Sequence, residues 1–289
     1  MSESIYVTGS KGLVGSGFIE LLSDKYSLIT PEIDELDITD EQALEKYFRD
    51  INLGVIVNFA ALTDVDGAEK EKDDKNGSFW QVNVVGAANL AGLAKKKGAQ
   101  MIQISTDFVF PGCQKFPGPY SEDVPPPDKQ EGIGWYGWTK RMAEKEVRKV
   151  ILPAIVRISF PFGDRTSPKD YLNKIKSGVE KGYPMFSDQE VTPTFMPDLF
   201  MALEKIFKKR MIGVFHVATS PVTTPYEIGR LLVDKLRLKV EVKSGSITDF
   251  LKKPGIAPRP IKGGLNCEET QRKLGIKFLF WQEGLDAWL

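Results

Sequence analysis

The stretch SIYVTGSKGLVGSGFIELL, residues 4–22, decides how the rest of the chain is read. Ser4–Thr8 is a short apolar run with the character of a strand. Gly9, Gly12 and Gly15 follow, and LVGSGFIELL has the pattern of a helix. Strand, glycine turn and helix together open a β-α-β unit. Gly9 lets the chain turn tightly, Gly12 lets backbone approach a pyrophosphate, and Gly15 lets helix and sheet pack closely. The helix N-terminus adds free N–H groups and positive dipole. The expectation is a dinucleotide-binding turn, with Gly9, Lys11, Gly12, Leu13, Val14 and Gly15 beside the cofactor.

The alternation continues downstream. YSLIT reads as a second strand. TDEQALEKYFRD reads as a helix opened by a capping box of Thr39 and Gln42. GVIVNFA (54–60) is continuously apolar, as expected of a strand with both faces covered. SFWQVNVVGAANLAGLAKKKG reads as one long helix stopped by Gly98, and AQMIQIST (99–106) as the next strand. GWYGWTKRMAEKEV starts another helix and PAIVRIS another strand. This order implies a doubly wound parallel sheet of the Rossmann type. A Pro- and Gly-rich segment from Pro111 to Gly134 has the composition of a loop that covers a site, and Trp135 and Trp138 are expected to pack on it. Beyond about residue 160 the pattern loosens into PKDYLNKIKSGVEKG, MPDLFMALEKIFKKR, GVFHVA and PYEIGRLLVDKLRL, the last a helix with Pro225 in its first turn. The expected organisation is a nucleotide-binding domain over 1–160 and a smaller mixed α/β lobe over 161–289, with the chain free to cross between them. The ligand belongs in the cleft at the carboxyl ends of the strands.

Composition removes whole classes of function. Lys+Arg and Asp+Glu both total 39, a formal net charge of zero, which argues against general nucleic-acid binding. No apolar run approaches the ~18 residues of a membrane span. The start MSESIYVTGS has no signal-peptide pattern, so a cytoplasmic protein is expected. Cys113 and Cys267 form neither a metal-ligand spacing nor a disulfide framework, and no metal site is expected. Asp64 and Asp66 read as caps of a following helix, and His216, alternating with apolar neighbours, as a structural histidine.

Tyr136 and Lys140 stand at i and i+4 and share a helix face. By itself Tyr-x-x-x-Lys is common. Following the Gly-x-x-Gly-x-x-Gly turn, and with ISTD closing the fourth strand, it resembles the short-chain dehydrogenase/reductase superfamily. That resemblance implies a catalytic set of Thr106, Tyr136 and Lys140. Reducing a carbonyl leaves an oxyanion that must be protonated. A phenol with an ordinary pKa near ~10 is the donor, and a neighbouring ammonium is expected to lower that pKa.

LDITD (36–40), VNFAALTDVDGAE (57–69), NVVGAANLA (83–91), ISTDFVFPG (104–112), PYSEDVPPP (119–127), SDQEVTPTF (187–195) and PRPIKGGLNC (258–267) narrow the likeness. Together they resemble the extended reductases typified by dTDP-4-dehydrorhamnose reductase, which reduce a 4-keto nucleotide sugar with NADPH or NADH. The resemblance places Asp37 and Ile38 beside adenine, and Ala60, Ala61 and Thr63 along the cofactor. It brings Thr106, Asp107, Phe108 and Phe160 to the sugar, and Gln189 and Arg259 to the nucleotide end. The family usually has Tyr at position 108, Trp at 160 and often Gln at 13, so this chain's sugar contacts differ. Lys11 suits the 2′-phosphate of NADP and Glu32 the ribose hydroxyls of NAD; NADP(H) is favoured, with NAD(H) as the alternative. A nucleotide-sugar epimerase and a non-catalytic regulatory subunit of the methionine adenosyltransferase β type are the alternative functions. A homodimer is left open.

Overall fold

A computed structural model describes residues 3–289. Six parallel strands form the main sheet in the order β2-β1-β3-β4-β5-β7: β1 (Ser4–Thr8), β2 (Leu28–Ile29), β3 (Leu53–Asn58), β4 (Gln100–Thr106), β5 (Pro153–Ile158) and β7 (Gly213–Val217). A separate two-stranded sheet pairs β6 (Met185–Phe186) with β8 (Ser244–Gly245). The helices are α1 (Leu13–Leu22), α2 (Glu41–Tyr47), α3 (Val65–Lys70), α4 (Ser78–Trp80), α5 (Gly86–Lys97), α6 (Trp135–Val147), α7 (Tyr171–Glu180), α8 (Met196–Lys208), α9 (Pro225–Leu236), α10 (Ile247–Phe250), α11 (Glu268–Leu274) and α12 (Trp281–Trp288). The strand order reverses at β1, so the β1/β3 boundary is the topological switch point, where doubly wound sheets hold ligands.

The central strands β3 and β4 are buried throughout, which explains why their sequences run apolar without alternating. Phe18 and Leu22 of α1, and Leu199, Leu203 and Ile206 of α8, cover one face of the sheet. Leu44 of α2, Leu90 and Ala94 of α5 and Val147 of α6 cover the other. A third core, with Leu172 and Ile175 of α7, Ile228 and Leu232 of α9 and Leu285 of α12, forms the smaller lobe. Residues from the second half of the chain thus return to the main sheet through α8 and β7 before the lobe is completed. Among the described residues, no helix is long and apolar enough to cross a membrane.

Local readings differ from the structure in a few places. The second strand is reduced to Leu28–Ile29, an edge pair on β1. The cap of α2 is Asp40, whose Oδ1 accepts from Ala43 N at 2.9 Å. Thr39 is unavailable because its N and Oγ1 both donate to Asp37 Oδ1, at 2.8 and 2.9 Å. The long helix read over residues 78–98 ends at Gly98 in the left-handed conformation as expected, but a π-helical turn, Gln81–Val85, interrupts it. Thr224 and Glu227 form a capping box at the start of α9, with Pro225 in the first turn. Trp135 stacks on Trp80, centroids 5.6 Å apart, in a small cluster with Ala68 and Phe79. The Pro-rich loop is pinned to 262–266: Gly118 N donates to Lys262 O at 2.8 Å and Tyr120 N to Gly264 O at 3.0 Å.

Candidate active site

The glycine turn is built as a cradle. Gly9 has φ +68°, and a Cβ there would lie 2.8 Å from Ala60 N. A Cβ on Gly15 would lie 2.3 Å from Gly9 O, so α1 starts hard against the turn. Gly12 is the N-cap of α1; no side chain caps the helix and no acid stands in its first turn. Its leading N–H groups and dipole therefore face an incoming anion unopposed, which fits the phosphates of a dinucleotide. Leu13 and Val14 begin the helix and pack, partly buried, on the core beneath.

Buried polar side chains lock the neighbouring strand ends. Thr8 Oγ1 donates to Asn58 Oδ1 at 2.6 Å, and Asn58 Nδ2 to Gln103 Oε1 at 2.8 Å. Ala60 N donates to both Thr8 Oγ1 and Asn58 Oδ1 at 3.1 Å, which fixes the turn carrying Ala60, Ala61 and Thr63. Asp37 and Ile38 lie on the loop before α2. Asn89 Nδ2 holds that loop by donating to the carbonyls of Ile38 and Thr39 at 3.0 Å.

Thr106, Asp107, Phe108, Tyr136 and Lys140 come together where β4 meets α6. A Cβ on Gly137 would stand 2.1 Å from the Phe108 carbonyl, so α6 seats directly on the turn that follows β4. The Phe108 and Tyr136 rings meet edge to face at 5.9 Å. Thr106 Oγ1 accepts from Phe108 N at 3.2 Å and donates to Asp107 Oδ1 at 3.2 Å. Ser159 Oγ donates to Asp107 Oδ2 at 2.9 Å. Asp107 is buried, and burial pushes its pKa up to about 6 against the hydrogen bonds from Ser159 and Thr106. Phe160 adopts φ +44°, a strained conformation for a bulky residue. Flanking bonds hold it there: Ser159 N donates to Thr194 Oγ1 at 3.0 Å and Phe162 N to Thr194 O at 2.9 Å.

The RmlD substrate binding domain family model matches residues 3–289, all of the chain described above. The chain belongs to this family. It is 29% identical over 287 residues to the spore coat polysaccharide biosynthesis protein SpsK of Bacillus subtilis (strain 168), covering 99% of this chain and 96% of SpsK. The crystal structure of dTDP-4-dehydrorhamnose reductase from Bacillus anthracis in complex with NADP superposes with a TM-score of 0.87 at 27% identity, over 100% of this chain and 99% of that one. Methionine adenosyltransferase 2 subunit beta of Rattus norvegicus is 27% identical over 97% of this chain and 88% of its own length.

Within this RmlD-family site the electrostatics depart from the sequence argument. Burial pushes the Tyr136 phenol up; the neighbouring Thr106 hydroxyl opposes the rise and the Asp107 carboxyl adds to it. Burial outweighs any lowering of the phenol by the Lys140 ammonium. Desolvation also lowers the lysine's own pKa to about 8, with the Glu144 carboxylate pulling the other way. Three residues assigned to ligands are engaged within the protein. Lys11 forms an ion pair with Glu32, so the basic and acidic determinants of cofactor choice offset each other. Arg259 Nη2 donates to Asp66 Oδ2 at 2.6 Å, and Gln189 Nε2 donates to Pro260 O at 3.2 Å, which fastens the segment carrying Arg259. Asp64 caps α3 through Gly67 N at 3.0 Å. His216 is buried with its pKa near 3, between Arg157 Nη1 at 3.2 Å and the carbonyls of Tyr120 and Asn266 at 3.1 Å. Its place is structural.

Asn83 was not singled out from sequence. In the π-helical turn its Oδ1 accepts from Leu62 N at 2.9 Å. Its Nδ2 donates to Leu62 O at 3.1 Å and to Thr139 Oγ1 at 3.0 Å. It ties the loop after β3 to the helix bearing Tyr136 and Lys140. The available signal was an amide set between valines in VNVV, since a buried amide must find partners.

Proposed function

We propose that this chain reduces the 4-keto group of a nucleotide sugar with NADPH, converting dTDP-4-dehydrorhamnose to dTDP-rhamnose. The observation that supports the reading is that Thr106 at the end of β4, with Tyr136 and Lys140 on α6, lies at the same carboxyl edge of the parallel sheet as the Gly9–Gly15 turn that follows β1. The relative from Bacillus anthracis, solved with NADP, supports the cofactor. Lys11 stands ready to meet a 2′-phosphate on release from Glu32, while Glu32 leaves NADH as a usable second cofactor.

The bound nicotinamide supplies the hydride; the chain supplies everything else. Thr106 directs its hydroxyl to the keto oxygen. Tyr136, kept protonated by burial, gives its proton to the developing alkoxide, a far stronger base than phenolate. Lys140 presents its ammonium on the same helix face to hold the ribose, and its charge stabilises the phenolate left behind. Asp107 accepts a hydrogen bond from a sugar hydroxyl.

The test is oxidation of NADPH and NADH with dTDP-4-keto-6-deoxy-L-mannose generated in the assay. Turnover is expected with NADPH ahead of NADH. Tyr136→Phe is expected to lose at least about 100-fold in kcat with cofactor affinity nearly intact. Wild-type turnover that survives in Tyr136→Phe would remove the phenol from the mechanism. The likeness to methionine adenosyltransferase 2 subunit beta supports a second reading, a regulatory subunit. Cofactor binding with no sugar turnover, together with a co-purifying adenosyltransferase, would favour it.

A further inference from the structure

Tyr171 opens α7, and its side chain is 9 % exposed. Its hydroxyl is buried with no hydrogen-bond partner among the described residues. A buried hydroxyl without a partner is uncommon in native proteins and calls for an explanation. The ring lies 4.8 Å from Phe160, and Phe160 lies 6.0 Å from Phe108, which in turn contacts Tyr136. The wall from Tyr136 to Tyr171 is therefore a run of aromatic rings whose middle members, Phe108 and Phe160, offer no polar atom. The Tyr171 hydroxyl is close enough to Asp107 for that carboxyl to add to the rise burial causes in its pKa.

The backbone that presents this ring is held from both sides. Asp170 is fully buried; its Oδ1 accepts from Leu172 N at 2.8 Å and its Oδ2 from Gly163 N and Asp164 N at 2.7 and 2.9 Å. Tyr171 N donates to Pro161 O at 3.2 Å. Beneath the ring sits the strained Phe160. The hydroxyl is thus fixed in place with nothing of the protein to bond, at one end of an aromatic run that leads through Phe160 to Phe108, the chain neighbour of a buried carboxylate bonded to the hydroxyls of Thr106 and Ser159. A sugar hydroxyl that donates to Asp107 and accepts from Tyr171 satisfies both groups at once.

We propose that Tyr171 is a specificity-determining residue whose hydroxyl donates to a ring hydroxyl of the sugar, the same one that bonds Asp107. This rests on the nucleotide-sugar reading above. A site built to bond a hydroxyl discriminates strongly against its loss, because the site's own polar groups are then left unpaired.

The test compares wild type and Tyr171→Phe by calorimetric titration with dTDP-rhamnose and with dTDP, each in the presence of NADP, and by thermal melting. The expected result is about a tenfold or greater weakening for dTDP-rhamnose, dTDP affinity unchanged and Tm not lowered. Equal dTDP-rhamnose affinity in the two proteins overturns the inference and leaves the reductase reading intact. Equal weakening for both ligands with a lowered Tm also overturns it, by making the residue structural. Wild type that binds dTDP-rhamnose no better than dTDP removes the reading and the inference together.

Discussion

Lys140, which the proposed mechanism sets on the ribose, is held at a cost to the fold. It is 4 % exposed, and desolvation brings its pKa to about 8, against ~10.4 in an unfolded chain. Between those values the unfolded chain holds the proton and the folded chain does not, so stability rises with pH across that window. Below about 8 both states are protonated and the folded state bears the full desolvation cost. Lys140→Met, with an unbranched side chain of similar length, is therefore expected to stabilise the protein at pH 7 by on the order of 1–3 kcal/mol. The gain should fade as pH approaches ~10.4, and turnover should be lost. Calorimetric melts of both proteins across pH check this; a variant no more stable than wild type at pH 7 would mean the ammonium is not under strain. The motif residues were legible only through the family resemblance that the glycine turn, ISTD and Tyr-x-x-x-Lys carry in that order, since each alone is common. Their electrostatics were not, because which of burial and a nearby charge prevails depends on distances that spacing does not contain.

At the scale of elements, the proposed reaction depends on how α6 meets the end of β4. The contact is so close that an added methyl at Gly137 would lie 2.1 Å from a backbone carbonyl, which has no rotamer by which to yield. Gly137→Ala must therefore shift the helix. A displacement near 1 Å at reacting groups costs on the order of 100-fold in rate. We expect that loss in kcat, with a smaller fall in cofactor affinity, because the Gly9–Gly15 cradle belongs to another helix and only the proposed Lys140 contact to the ribose moves with α6. Stopped-flow turnover and cofactor titration separate the two effects; an alanine variant with wild-type kcat would show that the close seating is unnecessary. This position was not legible beforehand, since WYGWTK reads as an ordinary helix start and the partner carbonyl is distant in the chain. The π-helical turn around Asn83 was hidden for the same reason. Its local pattern is helical, and the amide's partners, Leu62 and Thr139, come from elsewhere.

At the scale of the molecule, the alternation of strands and helices up to about residue 160 was legible because each β-α unit carries its own period. The return of the chain to the main sheet was not, since GVFHVA and MPDLFMALEKIFKKR have strand and helix patterns that say nothing of which sheet they join. In the structure β7 pairs with β5 in parallel, from Ala154↔Gly213 to Ile158↔Val217, and α8 covers the face that α1 leaves open. Leu199, Leu203, Ile206, Phe215 and Val217 are all 0 % exposed. Burying each contributes roughly 1.5–3 kcal/mol, and a domain is stable by only about 5–15 kcal/mol in total. A fragment of residues 1–160 would lack all five, expose their apolar partners on Phe18, Ile102 and Val156, and leave β5 as an unpaired edge. It is therefore expected to show no cooperative melt and to aggregate, although it contains the whole glycine cradle together with Thr106, Tyr136 and Lys140. Circular dichroism melts of the fragment and the full chain, with NADPH titrated into each, give the comparison. A fragment that melts cooperatively and binds NADPH would show that the nucleotide-binding half is self-sufficient and that α8 and β7 serve only to carry the smaller lobe.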